Sequence, residues 1–361
     1  KAKEKSEKMS YISPISSRYA YSTARVKAME SGLISRESMK NIVQAKSPEE
    51  ILAQLVQTEY KKDLEEFGGL KISSDLIDFA LSKNLAVNVG KLITITPMED
   101  KSITRAIVGK WDIYNIELAI EAKASRKSFD EISKYIIDYG PYNASMIKEA
   151  LGEGSVEGLI SKLMINSPYK DIIAEALEEF RKSGDALQAN MKIDKLYYQR
   201  LGMLMPRIRN LSPESATIVK LDIDMKNILL LIRAKRYMLK FGEIENNIIP
   251  NGSLEREELE SIYENSKDES ELAKNAKVFD LSNEAEAYKK ERKLFAFEIS
   301  MRNQILRKSV QLLSHTLLSF GTILAYAYIK EIEVLNLRTL IKGKQYGLSQ
   351  EEIGRMMVWK E

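Results

Sequence analysis

Two aspartates separated by one residue, Asp222 and Asp224, form an arrangement in this chain that could do chemistry. Closely spaced carboxylates can bind magnesium, and some all-helical enzymes use such a pair to hold the ion together with a diphosphate. The chain repeats the surrounding pattern twice, but those copies offer only Asp112 in one and Glu331 with Glu333 in the other. An isolated Asp-x-Asp pattern is weak support for an active site. A magnesium-dependent all-α enzyme using Asp222 and Asp224 is therefore an alternative hypothesis, not the favoured one.

Other patterns of catalytic and cofactor-binding residues are absent from the sequence. The chain has no cysteine, which excludes disulfides, thiol nucleophiles and cysteine metal sites. Its one histidine, His315, cannot supply an H-E-x-x-H zinc motif, and we expect it to be a hydrogen-bonded core residue. Gly90 and Lys91 fail the P-loop pattern because Leu92 follows them, and no G-x-G-x-x-G occurs. We predict no catalytic residue, no cofactor and no metal site.

The charge balance argues against a nucleic-acid partner. Lysine and arginine number 55 and aspartate and glutamate 52, which gives a formal net charge of +3, whereas nucleic-acid-binding domains usually carry a concentrated basic surplus. Residues 255–271 are acidic and Lys289 to Lys293 are basic. We predict that both segments are solvated helix faces. The opening segment KAKEKSEK is charged and has no apolar core of the kind that a signal peptide carries.

One stretch, from Ser309 to Ile329, has no charged side chain and is long enough to cross a bilayer. Its polar residues make the stretch only marginal for membrane insertion, and a helix enclosed on all sides by protein has the same composition. We predict a buried helix and no membrane span. The stretch contains the polar residues Gln311, Ser314, His315, Thr316, Ser319 and Thr322.

A pattern of acid, asparagine and apolar residues occurs three times without a gap. The copies read DIYNIELAIEAK, DMKNILLLIRAK and EVLNLRTLIKGK. Their asparagines, Asn115, Asn227 and Asn336, lie 112 and 109 residues apart. Apolar residues follow each other at spacings of three and four, which predicts one face of an α-helix. Self-similarity at a near-constant period indicates an architecture built from repeats.

The repeat divides the chain into three predicted units. Turn residues follow the first two asparagines at similar distances, at Gly140-Pro141 and at residues 250–252. Helix-start signals at Ser47 and Ser155 are offset by 108 residues, and a weaker copy lies near Ser266. We predict repeat 1 over residues 1–140 with a charged tail at 1–16, repeat 2 over 141–251 and repeat 3 over 252–361. A partial fourth helix copy at 26–33 is predicted to pack against the last one and close the body.

The acid and the asparagine of each copy lie one helical turn apart, at the edge of the apolar face. A polar pair beside a core must be hydrogen-bonded, or it lowers stability. We interpret the pairs as structural tethers for a neighbouring loop or helix end, and a ligand site is the less favoured reading because enzymes seldom keep three equal sites in one chain. The predicted tether residues are Asp112, Asn115, Asp224, Asn227, Glu333 and Asn336.

The rest of the chain also reads as helical. Amphipathic periodicity predicts helices over 49–67, 155–163, 171–181 and 286–313, and the only strand-like run is Leu92 to Thr96. We expect an almost entirely α-helical protein.

Three segments carry a resemblance to a known family: YAYSTARVKAMESGL from Tyr19, DIDMKNILLLIRAK from Asp222, and E-x-x-N-L-R-x-L-I-x-G-K from Glu333. In this order they resemble the C subunit of the archaeal and bacterial A/V-type rotary ATPases, a family that includes the d subunit of the vacuolar ATPase. The resemblance runs from about Tyr19 to Val358. It implies an all-α funnel of three similar helical lobes around a pseudo-threefold axis.

The resemblance further implies a non-catalytic component that binds no nucleotide. Such a component sits peripherally on the cytoplasmic face of the membrane rotor ring of proteolipid subunits. It is the socket for the central stalk, which consists of the D and F subunits. It transmits torque for proton or sodium transport coupled to ATP synthesis or hydrolysis. An alternative of another class is a helical scaffold or adaptor, although such solenoids usually repeat every 20–50 residues.

Basic residues on the repeated helices are our candidates for the stalk or ring interface, as residues that line or rim the funnel. A solvated helix surface is an equally good interpretation of each. They are Arg25, Lys27, Lys123, Arg233, Lys235, Lys342 and Lys344.

Overall fold

The computed structural model describes residues 17–66, 74–316 and 318–359. Throughout those ranges every regular element is a helix and no strand occurs, which confirms the all-α prediction. The predicted charged tail at 1–16 lies outside the described residues.

Taken between the predicted repeat boundaries, the helices form three groups in chain order, each of which contains one copy of the repeated motif. The first group comprises Ala20–Glu30, Arg36–Gln44, Pro48–Leu55, Lys61–Glu66, Ser74–Ile95, Lys101–Val108, Lys110–Ala124 and Phe129–Ile132. The second comprises Ala144–Leu151, Val156–Leu163, Lys170–Ser183, Ala186–Met203, Met205–Leu211, Pro213–Arg236 and Phe241–Ile244. The third comprises Arg256–Glu264, Glu269–Asn275, Ser282–Glu291, Phe295–His315, Phe320–Gln345 and Gln350–Arg355. Short 3₁₀ turns lie at Met98–Asp100, Ser133–Tyr135 and Glu245–Asn247.

Side-chain caps explain where many of these helices begin. The Ser155 side chain accepts a hydrogen bond from the Gly158 backbone N–H, and the Ser47 side chain accepts one from Glu50. Each cap satisfies one of the N–H groups that a helix start leaves without a partner. The predicted helix starts at these two serines are confirmed. At the weak third copy, the cap is Asp268, which accepts from the Glu271 N–H at 2.8 Å.

The strand prediction at Leu92 to Thr96 is wrong. Leu92 to Ile95 form the end of the Ser74–Ile95 helix, and the hydroxyl of Thr96, just beyond it, donates to the Leu92 carbonyl at 2.7 Å. Leu92 and Ile93 are buried among other helices. Burial inside the bundle therefore outweighs the strand propensity of this β-branched run.

The prediction of one buried helix over Ser309 to Ile329 is also wrong in part. One helix ends at His315, and another begins at Phe320 after a cap in which the Ser319 side chain accepts from the Gly321 N–H. The second helix is buried over its first turns, as expected, but His315 is exposed at a helix end and is not a core residue. In the described part of the chain, no helix is long and apolar enough to span a membrane.

Two other long predicted helices are interrupted, while two shorter ones are confirmed. The 49–67 segment breaks between Leu55 and Lys61. The 286–313 segment breaks after Glu291, where Arg292 adopts a left-handed backbone with φ of 54°. The predicted helices at 155–163 and 171–181 are present as Val156–Leu163 and Lys170–Ser183. Periodicity continues across both breaks because the apolar residues on each side share one core.

The repeated motif occupies three long helices, which we call the motif helices: Lys110–Ala124, Pro213–Arg236 and Phe320–Gln345. Their buried apolar residues extend through two hydrophobic clusters. The second cluster joins Val334, Leu337 and Ile341 of the last motif helix to helices from the start of the chain. The partial copy at Ala20–Glu30 also packs against this helix, and the Tyr19 ring meets Phe320 edge-on at 6.3 Å. The predicted packing of the first and last helix copies is confirmed.

Candidate functional site

Each repeated asparagine forms two hydrogen bonds with one backbone residue that lies 22 positions downstream. Asn115 pairs with Ile137, at 2.8 Å to its carbonyl and 3.0 Å from its N–H. Asn227 pairs with Ile249 at 2.8 and 2.9 Å, and Asn336 pairs with Val358 at 2.6 and 2.8 Å. All three amides are buried. A side-chain amide that pairs with both polar groups of one residue satisfies two backbone groups in the core at once.

The acidic partners are less uniform than the asparagines. Asp112 accepts a hydrogen bond from the Tyr169 hydroxyl at 3.0 Å, and Glu333 accepts one from the Tyr60 hydroxyl at 2.8 Å. Asp224 instead accepts from the backbone N–H of Ser253 at 2.8 Å. Glu333 has further partners in the Ile34 N–H and the Lys330 ammonium.

Burial sets the protonation behaviour of two of these acids. It raises the pKa of Asp112 to about 6, and the hydrogen bond from Tyr169 partly opposes that rise. Burial also raises the pKa of Asp224, against the effect of hydrogen bonds from Ser253 and Leu254. The main group that stabilises the charged form of Asp112 is the Tyr169 hydroxyl, and its one hydrogen bond does not offset the effect of burial.

A turn of constant geometry follows each motif helix, and our sequence reasoning missed it. The residue eleven positions after the asparagine has a left-handed backbone in every copy: Arg126, Met238 and Gly347, with φ of 57°, 56° and 69°. The next N–H bonds back to a carbonyl five residues earlier, as in Lys127 to Ala122, which is the Schellman ending of a helix. The sequence feature that indicates this turn is a glutamate sixteen positions after each asparagine. These glutamates, Glu131, Glu243 and Glu352, each cap the next short helix.

The three motif helices approach one another at the position five residues before the asparagine, which is occupied by Lys110, Asp222 and Glu331. The ammonium of Lys110 forms an ion pair with Glu331 and lies 4.3 Å from the centre of the Tyr328 ring. Asp222 accepts hydrogen bonds from the hydroxyls of Tyr198 and Tyr328, both at 3.0 Å. Residues from all three repeats therefore meet in one polar contact region, which we call the central cluster.

A cavity of about 300 Å³ opens beside the central cluster. Its walls carry both signs of charge, and parts of them are internally paired: Lys226 with Asp194 at 2.7 Å, and Arg302 with Glu298 at 2.9 Å. The sequence patterns point to only Asp222, Arg233 and Glu331 among its charged residues. Lys226 lies on the second motif helix but at a position that does not recur in the motif, and the others come from helices outside the motif. The charged residues that line it are Asp194, Lys195, Asp222, Lys226, Arg233, Glu298, Arg302 and Glu331.

The structure does not bring Asp222 and Asp224 together as a metal clamp. Asp222 accepts from two tyrosine hydroxyls, whereas Asp224 accepts from the backbone of Ser253 and Leu254. Alternate residues of a helix point in widely different directions, so these carboxylates serve separate surroundings. Within the ranges that the structure describes, no group of three or more potential ligands is placed to hold an ion.

The seven basic candidates are distributed rather than gathered. Three of them hold backbone carbonyls near helix ends: Lys123 at Leu151, Lys235 at Tyr263 and Lys27 at Leu313. Cations near a helix C-terminus interact favourably with its exposed carbonyls. Of the others, Arg25, Arg233 and Lys342 are exposed and Lys344 is half-buried, and Arg233 is the candidate that reaches the cavity.

Comparison with known proteins gives a consistent result over nearly the whole chain. A sequence profile of the family described as ATP synthase (C/AC39) subunit matches residues 22–356. Among curated relatives, the A-type ATP synthase C subunit of Archaeoglobus fulgidus is 30% identical over 94% of this chain and 96% of the relative. Proteins of the same name from Methanococcoides burtonii and Thermoplasma volcanium are 29% and 23% identical, with at least 94% of each chain covered.

Proposed function

The chain belongs to the ATP synthase (C/AC39) subunit family and is a non-catalytic subunit of an A-type rotary complex. From this premise, we propose that it couples the central stalk to the membrane rotor ring. The stalk partner is the pair of D and F subunits, and the ring partner is the set of proteolipid subunits. The protein then lies peripherally on the cytoplasmic face of the membrane and transmits torque for proton or sodium transport coupled to ATP synthesis or hydrolysis.

The observation that carries this proposal is the charged cavity beside the central cluster. It lies next to the point where helices of all three repeats meet, and its walls carry both carboxylates and cations. A surface with both signs of charge suits a protein partner whose own charges alternate, since complementary charges fix register and orientation. We propose that the foot of the stalk binds there.

Stiffness is the second requirement of a part that transmits torque. We propose that the asparagine and acid pairs supply it as structural tethers: Asp112, Asn115, Asp224, Asn227, Glu333 and Asn336. The support is that each asparagine holds a loop 22 residues away through two buried hydrogen bonds. The same regularity supports a body of three similar lobes around a pseudo-threefold axis, with the predicted repeat boundaries near residues 140 and 251.

The test is the affinity of the chain for a purified complex of the D and F subunits, measured by calorimetry. Lys195→Glu with Arg233→Glu reverses two charges on the cavity wall, and we expect at least a roughly tenfold weaker affinity. Lys170→Glu with Lys182→Glu makes the same change in charge at two exposed positions of a helix outside the cavity and is the matched control. Equal affinities for both double variants would contradict the proposed stalk site. Binding of the native chain to neither stalk nor ring would favour the scaffold alternative.

A further inference from the structure

An exposed apolar turn closes the second motif helix. Tyr237 is 72% exposed, Met238 is 89% exposed and Leu239 is 39% exposed. The equivalent residues after the first motif helix are Ser125, Arg126 and Lys127, so the same backbone turn is built there from polar side chains. Three consecutive exposed apolar residues are therefore not a requirement of this turn.

The backbone conformation at Met238 makes a methionine at this position unfavourable. Its φ is 56°, in the left-handed region that disfavours residues with a side chain, and the equivalent position after the third motif helix is Gly347. Glycine would relieve the backbone with little loss of packing, since the Met238 side chain is almost wholly in solvent. A strained position that keeps a large exposed apolar group points to a function outside the fold.

Cations flank the turn on both sides. Arg236 and Lys240 are exposed, and neither forms an ion pair with a carboxylate in the ranges that the structure covers. The nearby Glu243 carboxylate is occupied as a cap, where it accepts from the Lys240 backbone N–H at 2.7 Å.

We propose that this segment, residues 236–240, is a lipid-binding tip that docks on the anionic headgroup layer of a membrane. A tyrosine and two aliphatic residues can enter the interface between headgroups and acyl chains, while adjacent arginine and lysine bind phosphate groups and extend their apolar stems. Basic residues next to a membrane gain attraction from anionic lipids. The proposal concerns lipid, and it does not depend on the stalk-binding proposal.

Flotation of the purified full chain with lipid vesicles tests this directly. We expect the chain to float with vesicles of equal parts phosphatidylglycerol and phosphatidylcholine, and to float much less with phosphatidylcholine alone. Tyr237→Ser with Met238→Arg and Leu239→Lys installs the residues of the first turn and adds positive charge. Because we expect the apolar side chains to drive insertion, this variant should lose roughly tenfold in its partition coefficient although it carries more positive charge. Arg236→Gln with Lys240→Gln is expected to weaken binding to the anionic vesicles and to reduce its dependence on salt.

Two controls keep the outcome interpretable. Met98→Ser removes another apolar side chain, which is 76% exposed, far from the tip in sequence, and should leave flotation unchanged. Met238→Gly relieves the backbone and removes the exposed side chain, and its thermal unfolding, measured beside flotation, separates lost lipid binding from lost folding. Absence of flotation by the native chain, or equal flotation by the native chain and the triple variant, would overturn the proposal. If the triple variant lost only its capture by the detergent-solubilised rotor ring, the tip would be a protein contact instead.

Discussion

The side chain of Asn336 forms two hydrogen bonds with the backbone of Val358, donating to its carbonyl at 2.6 Å and accepting from its N–H at 2.8 Å. The same pairing recurs at Asn115 with Ile137 and at Asn227 with Ile249. An amide that occupies both polar groups of a residue fixes the position and the orientation of the loop that carries it. An asparagine that recurs once in each repeat therefore makes the same tertiary contact three times.

Replacement of Asn227 by alanine should strongly destabilise the protein. The change leaves the N–H and the carbonyl of Ile249 buried without partners, and each such group costs about 1–3 kcal/mol. We expect the free energy of unfolding to fall by about 2–5 kcal/mol, measured by urea denaturation. Asn210→Ala, at an exposed helical asparagine, is the control and should change it by less than about 0.5 kcal/mol. Similar losses for the two variants would contradict the tether interpretation.

Two glycines with the same backbone geometry should respond differently to alanine. Gly140 and Gly184 have φ of 77° and 68°, so alanine strains both by about 1–2 kcal/mol. A Cβ on Gly140 would lie 2.6 Å from an Asp112 carboxylate oxygen, whereas one on Gly184 would meet nothing within 4 Å. We expect Gly140→Ala to lose about 1–3 kcal/mol more than Gly184→Ala in thermal or urea unfolding. Equal losses would mean that the contact with Asp112 does not constrain the loop.

The contribution of Asp112 to stability should fall with rising pH across the range in which its carboxyl group ionises. Its pKa is about 6 in the folded protein, above the ordinary value of 3.8. The folded state therefore binds the proton more tightly than the unfolded state does, and stability is lost as pH rises from about 4 to 6. Asp112→Asn, which keeps an acceptor for Tyr169, should reduce that slope.

Urea unfolding at several pH values between about 4 and 7 measures this slope. Asp171→Asn is the matched control, because the side chain of Asp171 is 90% exposed. An unchanged slope in Asp112→Asn, or an equal reduction in the control, would show that other groups govern the dependence. Asp78, whose pKa burial also raises to about 6, contributes in the same direction and should leave a residual slope.

The helical class and the repeated asparagine and acid residues could be predicted from the sequence because they depend on local periodicity and on identities that recur at fixed spacing. Prediction failed at Leu92 to Thr96, where burial outweighs strand propensity, and at His315, where a break places an apparently central residue at a helix end. The central cavity was largely missed for a different reason. Asp194, Lys226 and Arg302 come from three separate helices, and only the packing of those helices brings their charges together.

The ion pair between Lys110 and Glu331 joins the first repeat to the third and should contribute measurable coupling. Their side chains are only 14% and 20% exposed, so solvent screens the pair less than it does a surface pair. We expect a double-mutant cycle with Lys110→Met and Glu331→Gln to give a coupling energy of about 1–3 kcal/mol in urea unfolding. The Lys289 and Glu286 pair, at 53% and 59% exposure, is the control, and its coupling should be too small to measure.

The cycle also separates the ion pair from the contact of Lys110 with the Tyr328 ring at 4.3 Å. Lys110→Met removes that ring contact in the presence and in the absence of the Glu331 carboxylate, so its energy cancels from the coupling energy. A coupling near zero together with a large loss in Lys110→Met alone would assign the stabilisation to the ring instead. In that case Tyr328→Leu should lose markedly more stability than Tyr328→Phe, which keeps the ring and removes only the hydroxyl that donates to Asp222, and the first and third repeats would be joined at the central cluster by the tyrosine ring rather than by opposite charges.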